Sequence, residues 1–359
     1  MAAGGLGTWK DYRLSVGVTL ATVLRYPPPL LVGLLVGGCH AILPLSPPSA
    51  RDGSDGASRD YASRDQHQSI DRLPDGSFRP CTEQWKNPRF GPVSAVKELN
   101  TEFNEIESTL SADGLRIYFT STRQGGADLY TSVRGGRGQP FEEPAPLDAI
   151  NTANAEYRFH TTADGLVAVL NANWPNGQGQ CDIWYASRTG LDQAFASNMF
   201  SSPKSINSVG NEYDPQLSPD GLRLYYTIWE WPLGQGSADL VVATRISRSV
   251  EFSAPQSIPG QGINTPSADD NPTLSADERV IVFTSTRLGS PGHDIWYSTR
   301  PSRSAPFDTP QPLDDLNTTE HDEWETFLSG DGCELFFSSD RPGGKGKLDI
   351  YRAELQRPP

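Results

Sequence analysis

The chain has 359 residues, with 44 aspartates and glutamates against 30 lysines and arginines, which gives a formal net charge of −14. This balance argues against nucleic acid as a partner, because phosphate binding is driven by basic patches. The 34 glycines and 30 prolines fit a chain with many turns, and the length allows one large domain and a tail.

Residues 1–38 are predicted to be an export signal, because positive residues precede a short apolar run at 30–36 and two glycines. That run is too short to span a bilayer. The string LVGGC, ending at Cys39, resembles the lipobox of bacterial lipoproteins. The resemblance implies lipidation of Cys39, and His40 after it implies an outer-membrane lipoprotein facing the periplasm or the surface. The alternative is an ordinary signal or an uncleaved anchor with an incidental cysteine.

Residues 39–86 are predicted to be a disordered tether, because Ser, Asp, Arg, Pro and Gly dominate and apolar periodicity is almost absent. Cys81 lies at its end. A disulfide from Cys81 to Cys333 is geometrically possible in an oxidising compartment if the following strand joins the last repeat.

Residues 87–357 contain five copies of one unit at intervals of 51 to 57 residues. Each unit runs from an Asn-Thr or Asn-Ser loop through a recurrent acid to an S-x-D-G turn or a near copy, which indicates a tight hairpin. An aromatic and β-branched strand, a Gly-rich loop, a third strand opening with Asp and an F-x-x-P segment follow. Four short strands in each of five repeats predict an all-β, five-bladed β-propeller of four-stranded antiparallel blades.

The two ends of the repeat region are complementary. The last unit stops after its third strand, which begins at Asp349, whereas the first is preceded by an orphan fourth strand near Phe90. We therefore expect the N-terminal strand to complete the last blade, so that no sheet edge stays open.

Two kinds of loop are expected at one end of the propeller, which we call the loop-rich rim. They are the Asn-Thr loops that enter each first strand and the Gly-rich hairpins that join the second and third strands. Trp174 and Trp231 open two W-P-x-G-Q-G hairpins and could stack on a sugar or anchor a protein interface. The alternatives are partial burial of both tryptophans and internal pairing of the recurrent acids. The binding candidates on this rim are Trp174, Trp231, Arg123, Arg287, Arg341, Glu105, Glu156, Glu212, Asp269 and Glu323.

Catalytic signatures are weak. The sequence contains no HExxH, no G-x-S-x-G and no EF-hand loop, so it predicts no metal, no cofactor and no catalytic residue. His293, His321 and Asp322 are expected on the rim without zinc-binding spacing. One position breaks the repeat, two residues after the recurrent acid, and there the five units carry Glu107, Arg158, Asp214, Asn271 and Glu325. Five-bladed glycosidases need two asymmetrically placed carboxylates, and this difference alone identifies no such pair.

The repeat motifs LSPDG at 217–221, LYY and the later D-[IL]-x-x-[AST]-x-R resemble the WD40-like propeller repeat of TolB-type periplasmic proteins over about residues 89–355. The resemblance implies a non-enzymatic scaffold that contacts envelope proteins or peptidoglycan-associated partners. TolB carries an additional N-terminal domain, whose place the tether takes here. The hypothesis is a lipid-anchored, monomeric propeller that binds an envelope protein or cell-wall glycan through its rim. The alternative is a secreted carbohydrate-active enzyme of the five-bladed glycosidase kind.

Overall fold

The computed structural model describes residues 80–289 and 292–356. The predicted export signal, the lipidation site at Cys39 and the tether up to residue 79 lie outside these ranges and stay predictions. Within the described part, the only helices are two 3₁₀ turns, Thr82–Lys86 and Ser197–Met199, and strands make up the remaining regular structure.

The strands form five antiparallel sheets that follow one another along the chain, with β1 (Ser94–Ala95) first. Blade 1 contains β2 (Glu105–Leu110), β3 (Arg116–Ser121), β4 (Asp128–Val133) and β5 (Ala145–Pro146), and blade 2 contains β6 (Glu156–Thr161), β7 (Val167–Ala172) and β8 (Asp182–Ser187). Blade 3 contains β9 (Asn211–Leu217), β10 (Arg223–Trp229), β11 (Ala238–Thr244) and β12 (Gln256–Ser257). Blade 4 contains β13 (Asp269–Leu274), β14 (Val280–Ser285), β15 (Asp294–Thr299) and β16 (Gln311–Pro312). Blade 5 contains β17 (Glu323–Leu328), β18 (Glu334–Ser339), β19 (Asp349–Glu354) and β1.

The first strands of the five blades surround one axis, because β2, β6, β9, β13 and β17 contact one another in a closed cycle. Buried aromatic and aliphatic side chains fill the spaces between neighbouring blades. The predicted all-β, five-bladed propeller is confirmed.

The ring closes as predicted, because β1 pairs antiparallel with β19 and completes blade 5. The N–H of Gly91 donates to the carbonyl of Glu354 at 2.9 Å. Cys81 and Cys333 form a disulfide with an S–S distance of 2.09 Å. Beside it, Trp85 is fully buried and donates to the carbonyl of Gly332 at 2.8 Å. Residues 80–86, the end of the segment predicted to be a disordered tether, therefore pack on blade 5. The disulfide and the buried Trp85 hold them there.

The fourth strand of blade 2 is reduced to a single bridge between Tyr185 and Ser201. In blades 1, 3 and 4 the arginine that follows the third strand lies over the phenylalanine of the F-x-x-P segment, in the pairs Arg134 with Phe141, Arg245 with Phe252 and Arg300 with Phe307. In blade 2, Phe195 takes this place, 4.5 Å from the Arg188 guanidinium. The F-x-x-P segment at Phe200 therefore does not take the position of its counterparts in the other blades. The short helix Ser197–Met199 precedes it, and the strand pairing that follows is shorter.

Candidate functional site

The recurrent acids of the loop-rich rim are buried and pair with groups of the protein itself. Glu105 is fully buried and accepts hydrogen bonds from the N–H and the hydroxyl of Thr101 at 2.6 and 2.7 Å. Arg123 reaches the same carboxylate from the Gly-rich hairpin at 3.2 Å. Two further blades repeat this arrangement, with ion pairs from Arg287 to Asp269 and from Arg341 to Glu323. Each acid therefore holds the entry loop against the hairpin.

Blades 2 and 3 keep the buried acid but lack the arginine. In blade 2 the indole N–H of Trp174 donates to Glu156, and the ring packs against Trp184 at 5.1 Å. In blade 3 the Ser208 hydroxyl donates to Glu212 at 2.5 Å, and burial raises the pKa of Glu212 to about 7 because no guanidinium opposes it.

The rim candidates therefore differ in what they present to solvent. Trp174 and the five acids are buried. Trp231 is partly buried and packs against the apolar cluster of blade 3. Arg123, Arg287 and Arg341 each form an ion pair with a recurrent acid, as described above.

The glycines of the W-P-x-G-Q-G hairpins meet the neighbouring blade. A Cβ on Gly179 would lie 1.8 Å from the carbonyl oxygen of Gly210, and one on Gly236 would lie 1.9 Å from that of Ser267. Each hairpin therefore rests on the entry loop of the next blade, and only glycine permits this approach.

Exposed apolar side chains on the rim come from blades 1, 3 and 4, in positions that the repeat pattern did not single out. They are Phe103 (41% exposed), Val209 (93%), Leu233 (79%) and Leu288 (101%). The first two lie in entry loops and the other two in hairpins. Their signal in the sequence was an isolated apolar residue within a loop, which is too common to be diagnostic.

The five positions that break the repeat converge on the axis beneath the rim. Each lies in a β-bulge of its inner strand and has a positive φ of 45° to 57°; bulges of this kind re-aim side chains. The N–H of Glu107 donates to a Glu325 carboxylate oxygen at 3.0 Å, and Arg158 donates to the carbonyl of Thr326 at 3.0 Å.

Burial dominates the electrostatics of this axial layer. It raises the pKa of Glu325 to about 7, and burial together with Glu325 and Asp214 holds the pKa of Glu107 well above its usual range. Arg158 opposes both shifts. The sequence shows that these five positions break the repeat. It does not show that their side chains converge on the axis, because that depends on closure of the ring.

Histidines and aspartates meet where blades 4 and 5 adjoin on the rim. His293 Nε2 lies 3.9 Å from Asp270 Oδ2, and its Nδ1 lies 3.9 Å from Asp322 Oδ1. His321 Nδ1 lies 3.3 Å from Asp340 Oδ1. Within the described ranges, no group of three or more His, Cys, Asp or Glu side chains is arranged to hold a metal ion.

The opposite end of the axis opens into a cavity of about 680 Å³ among the S-x-D-G turns. Its wall includes the apolar residues Leu110, Leu217, Leu274, Phe327 and Leu328. The buried ionisable side chains of His160 and Glu278 also line this cavity. The two ends of the axis thus differ in that this one is open, whereas the axial carboxylates beneath the rim are buried. No helix in the part that the structure describes is long and apolar enough to cross a bilayer.

Comparison with known proteins gives likenesses of fold. No protein-family profile and no curated protein matches the chain. Among solved structures, TolB from Acinetobacter baumannii is 13% identical with a TM-score of 0.41; the match covers 71% of this chain but only 55% of that one. A putative TolB from Agrobacterium tumefaciens is 15% identical with a TM-score of 0.43, over 74% of this chain and 97% of that one.

A GH43 endo-arabinanase from Bacillus licheniformis is 12% identical with a TM-score of 0.49, over 72% of this chain and 96% of that one.

Proposed function

We propose that the chain is a non-enzymatic binding protein of the cell envelope that recognises a protein partner through its loop-rich rim. The observation that carries the proposal is the exposure of Phe103, Val209, Leu233 and Leu288 on the rim, compared with Leu191, Ile246 and Val250 at the opposite end. Exposed apolar side chains on a rim gain stabilisation when a partner removes them from water, at roughly 25 cal/mol for each Å² buried.

The rim is also preorganised for binding. Buried acids tie its entry loops to its hairpins, and glycine contacts hold each hairpin on the next blade. A surface that is already ordered loses little conformational entropy when a partner docks, so more of the contact energy appears as affinity.

A protein partner suits this rim better than a glycan. Stacking on a sugar needs an accessible aromatic face, but Trp174 is buried and Trp231 is partly buried. Phe103 is the aromatic ring among the four exposed apolar side chains of the rim, and the other three are aliphatic. The envelope location in the proposal rests on the predicted export signal and lipidation site. The disulfide between Cys81 and Cys333 fits the same oxidising environment.

The test compares two double variants that remove equivalent apolar groups from opposite ends. Leu233→Ser with Leu288→Ser alters the rim. Leu191→Ser with Ile246→Ser alters residues that are 68% and 89% exposed near the S-x-D-G turns. In pull-downs from an envelope extract, we expect the wild type and the turn-end variant to retain a partner that the rim variant loses. Loss from the turn-end variant alone would refute the proposal.

A carbohydrate-active hydrolase is the second candidate, favoured by the axial carboxylates. Glu325, with its pKa raised to about 7, has the property of a general acid. Against this, Glu107, Asp214 and Glu325 are each less than 5% exposed, and the open cavity lies at the other end. We expect no turnover of aryl arabinofuranosides or xylosides; turnover that Glu325→Gln abolishes would establish the enzyme instead.

A further inference from the structure

The cavity among the S-x-D-G turns has the size and the wall of a small-molecule site. Its volume is about 680 Å³, and small-molecule sites occupy roughly 300–1,000 Å³. Four of the five blades contribute its apolar side chains, which are Leu110, Leu217, Leu274, Phe327 and Leu328. Blade 2 contributes His160 in addition to Thr161 and Ala163. A mostly apolar wall with few polar groups is typical of a ligand site.

His160 belongs to a set of side chains that connect neighbouring inner strands. The set lies two residues after the positions that break the repeat, and it consists of Thr109, His160, Gln216, Thr273 and Phe327. Each of the four polar members forms a hydrogen bond with the inner strand of the next blade. Gln216 uses both amide atoms, because it donates to the carbonyl of Leu274 at 3.2 Å and accepts from its N–H at 2.6 Å. His160 uses only Nδ1, which accepts from the N–H of Leu217 at 3.2 Å.

His160 therefore has a second nitrogen, Nε2, that can serve a ligand. The side chain is 7% exposed and lines the cavity, with its ring 5.7 Å from that of Phe327. Burial lowers the pKa of His160 to about 3, so the ring is neutral and carries one proton. Since Nδ1 accepts a hydrogen bond, this proton is on Nε2. Nε2 has no acceptor within residues 80–289 and 292–356, and a buried donor is costly to leave unpaired.

The charged groups of the wall already have partners in the protein. Each carboxylate of the wall accepts a hydrogen bond from a neighbouring side chain: Asp113 from Ser111, Glu278 from Tyr225 and Asp331 from Arg137. The buried Glu278 also forms an ion pair with Arg223 at 2.6 Å. A charged ligand would lose its hydration in this cavity without meeting an unpartnered group of opposite charge in the described wall. The wall therefore favours a neutral ligand.

We infer that this cavity binds a neutral, largely apolar carbonyl compound, whose oxygen accepts a hydrogen bond from Nε2 of His160. A carbonyl oxygen suits the site because it accepts a hydrogen bond without carrying a charge. The apolar body of the ligand packs against the leucine side chains and Phe327, where it is removed from water. The site lies at the opposite end of the axis from the rim, so the inference goes beyond the proposed function and does not depend on it.

The probe is a fluorescent ketone, 6-propionyl-2-(dimethylamino)naphthalene, compared with the analogue that carries propyl in place of propionyl. Fluorescence titration of the full chain measures both dissociation constants for the wild type and for His160→Gln. Gln216 shows that a glutamine at this position can use both amide atoms on the next blade, so the variant should fold but present no donor to the cavity. We expect its affinity for the ketone, relative to that for the propyl analogue, to fall by roughly fivefold or more.

Two tryptophan variants show where the probe binds. Ala112→Trp places a large side chain at an exposed position of the cavity wall and should abolish binding of both compounds. The matched control, Ala254→Trp, changes an exposed position outside this wall and should bind as the wild type does. So should Leu233→Ser/Leu288→Ser, which alters the rim.

Three results would each overturn the inference. The first is no binding of the ketone by the wild type. The second is an unchanged preference for the ketone in His160→Gln. The third is binding that Ala112→Trp keeps and the rim variant loses. Thermal unfolding of every variant verifies that it is folded before the affinities are compared.

Discussion

Glu325 links the chemistry of the axial layer to the stability of the protein. Burial is the main reason that its pKa rises from the ordinary value of 4.5 to about 7. A carboxyl that is more basic in the folded state contributes its full stabilisation below pH 4.5 and loses it as the pH rises through 7.

We therefore expect Glu325→Gln to flatten the decline in the free energy of unfolding between pH 4.5 and 7. Urea unfolding at several pH values measures this, with Glu320→Gln, an exposed acid beside the same blade, as the control. Parallel curves for the wild type and Glu325→Gln would contradict the assignment.

Trp174 and Trp231 occupy the same motif but have different roles. Trp174 donates to the buried carboxylate of Glu156, whereas Trp231 only packs at the edge of an apolar cluster. Trp174→Phe should cost about 1–3 kcal/mol, because a buried carboxylate loses a donor. Trp231→Phe should cost less than about 1 kcal/mol, since a Phe ring replaces most of its packing. Chemical unfolding of the two variants measures both losses of stability. A larger loss for Trp231→Phe than for Trp174→Phe would contradict a stabilising role of the hydrogen bond from Trp174 to Glu156.

The Gly-rich hairpins are the elements that join neighbouring blades at the rim. We expect Gly236→Ala to destabilise the protein by about 1–3 kcal/mol, because its Cβ would lie 1.9 Å from the carbonyl oxygen of Ser267. Gly136→Ala is the control, since a Cβ there meets nothing within 4 Å. Thermal unfolding compares the two, and equal midpoints would show that the hairpin does not rest on the next blade.

The elements and their order could be predicted from the sequence because each is encoded locally. The S-x-D-G turns and alternating strands recur in every unit, and complementary ends imply closure. The acids at Glu105, Asp269 and Glu323 were visible as a pattern, but their burial depends on contacts with the hairpin arginines. The convergence of Glu107 with Glu325 was not predictable, because only the closed ring brings these two blades together. The pairing of Trp174 with Glu156 lies within blade 2, but the repeat gave no sign that a tryptophan would take the place of the arginine.

Closure of the ring concerns the molecule as a whole. The disulfide between Cys81 and Cys333 joins residues 252 apart in the sequence, and a loop of this length strongly restricts the unfolded chain. We expect Cys81→Ser/Cys333→Ser to lose about 2–4 kcal/mol of stability. Reductant should lower the melting temperature of the wild type more than that of the variant. A wild type insensitive to full reduction would contradict this role.

The end of the propeller that contacts the partner determines how the whole propeller is oriented toward that partner. Photo-crosslinking in intact cells tests this most directly, with a photoreactive residue placed singly at Leu233, Leu288, Leu191 or Ile246. We expect specific crosslinks to one protein from Leu233 and Leu288 and none from the turn-end positions. Crosslinks from Leu191 or Ile246, with none from the rim, would contradict the claim that the loop-rich rim is the binding face.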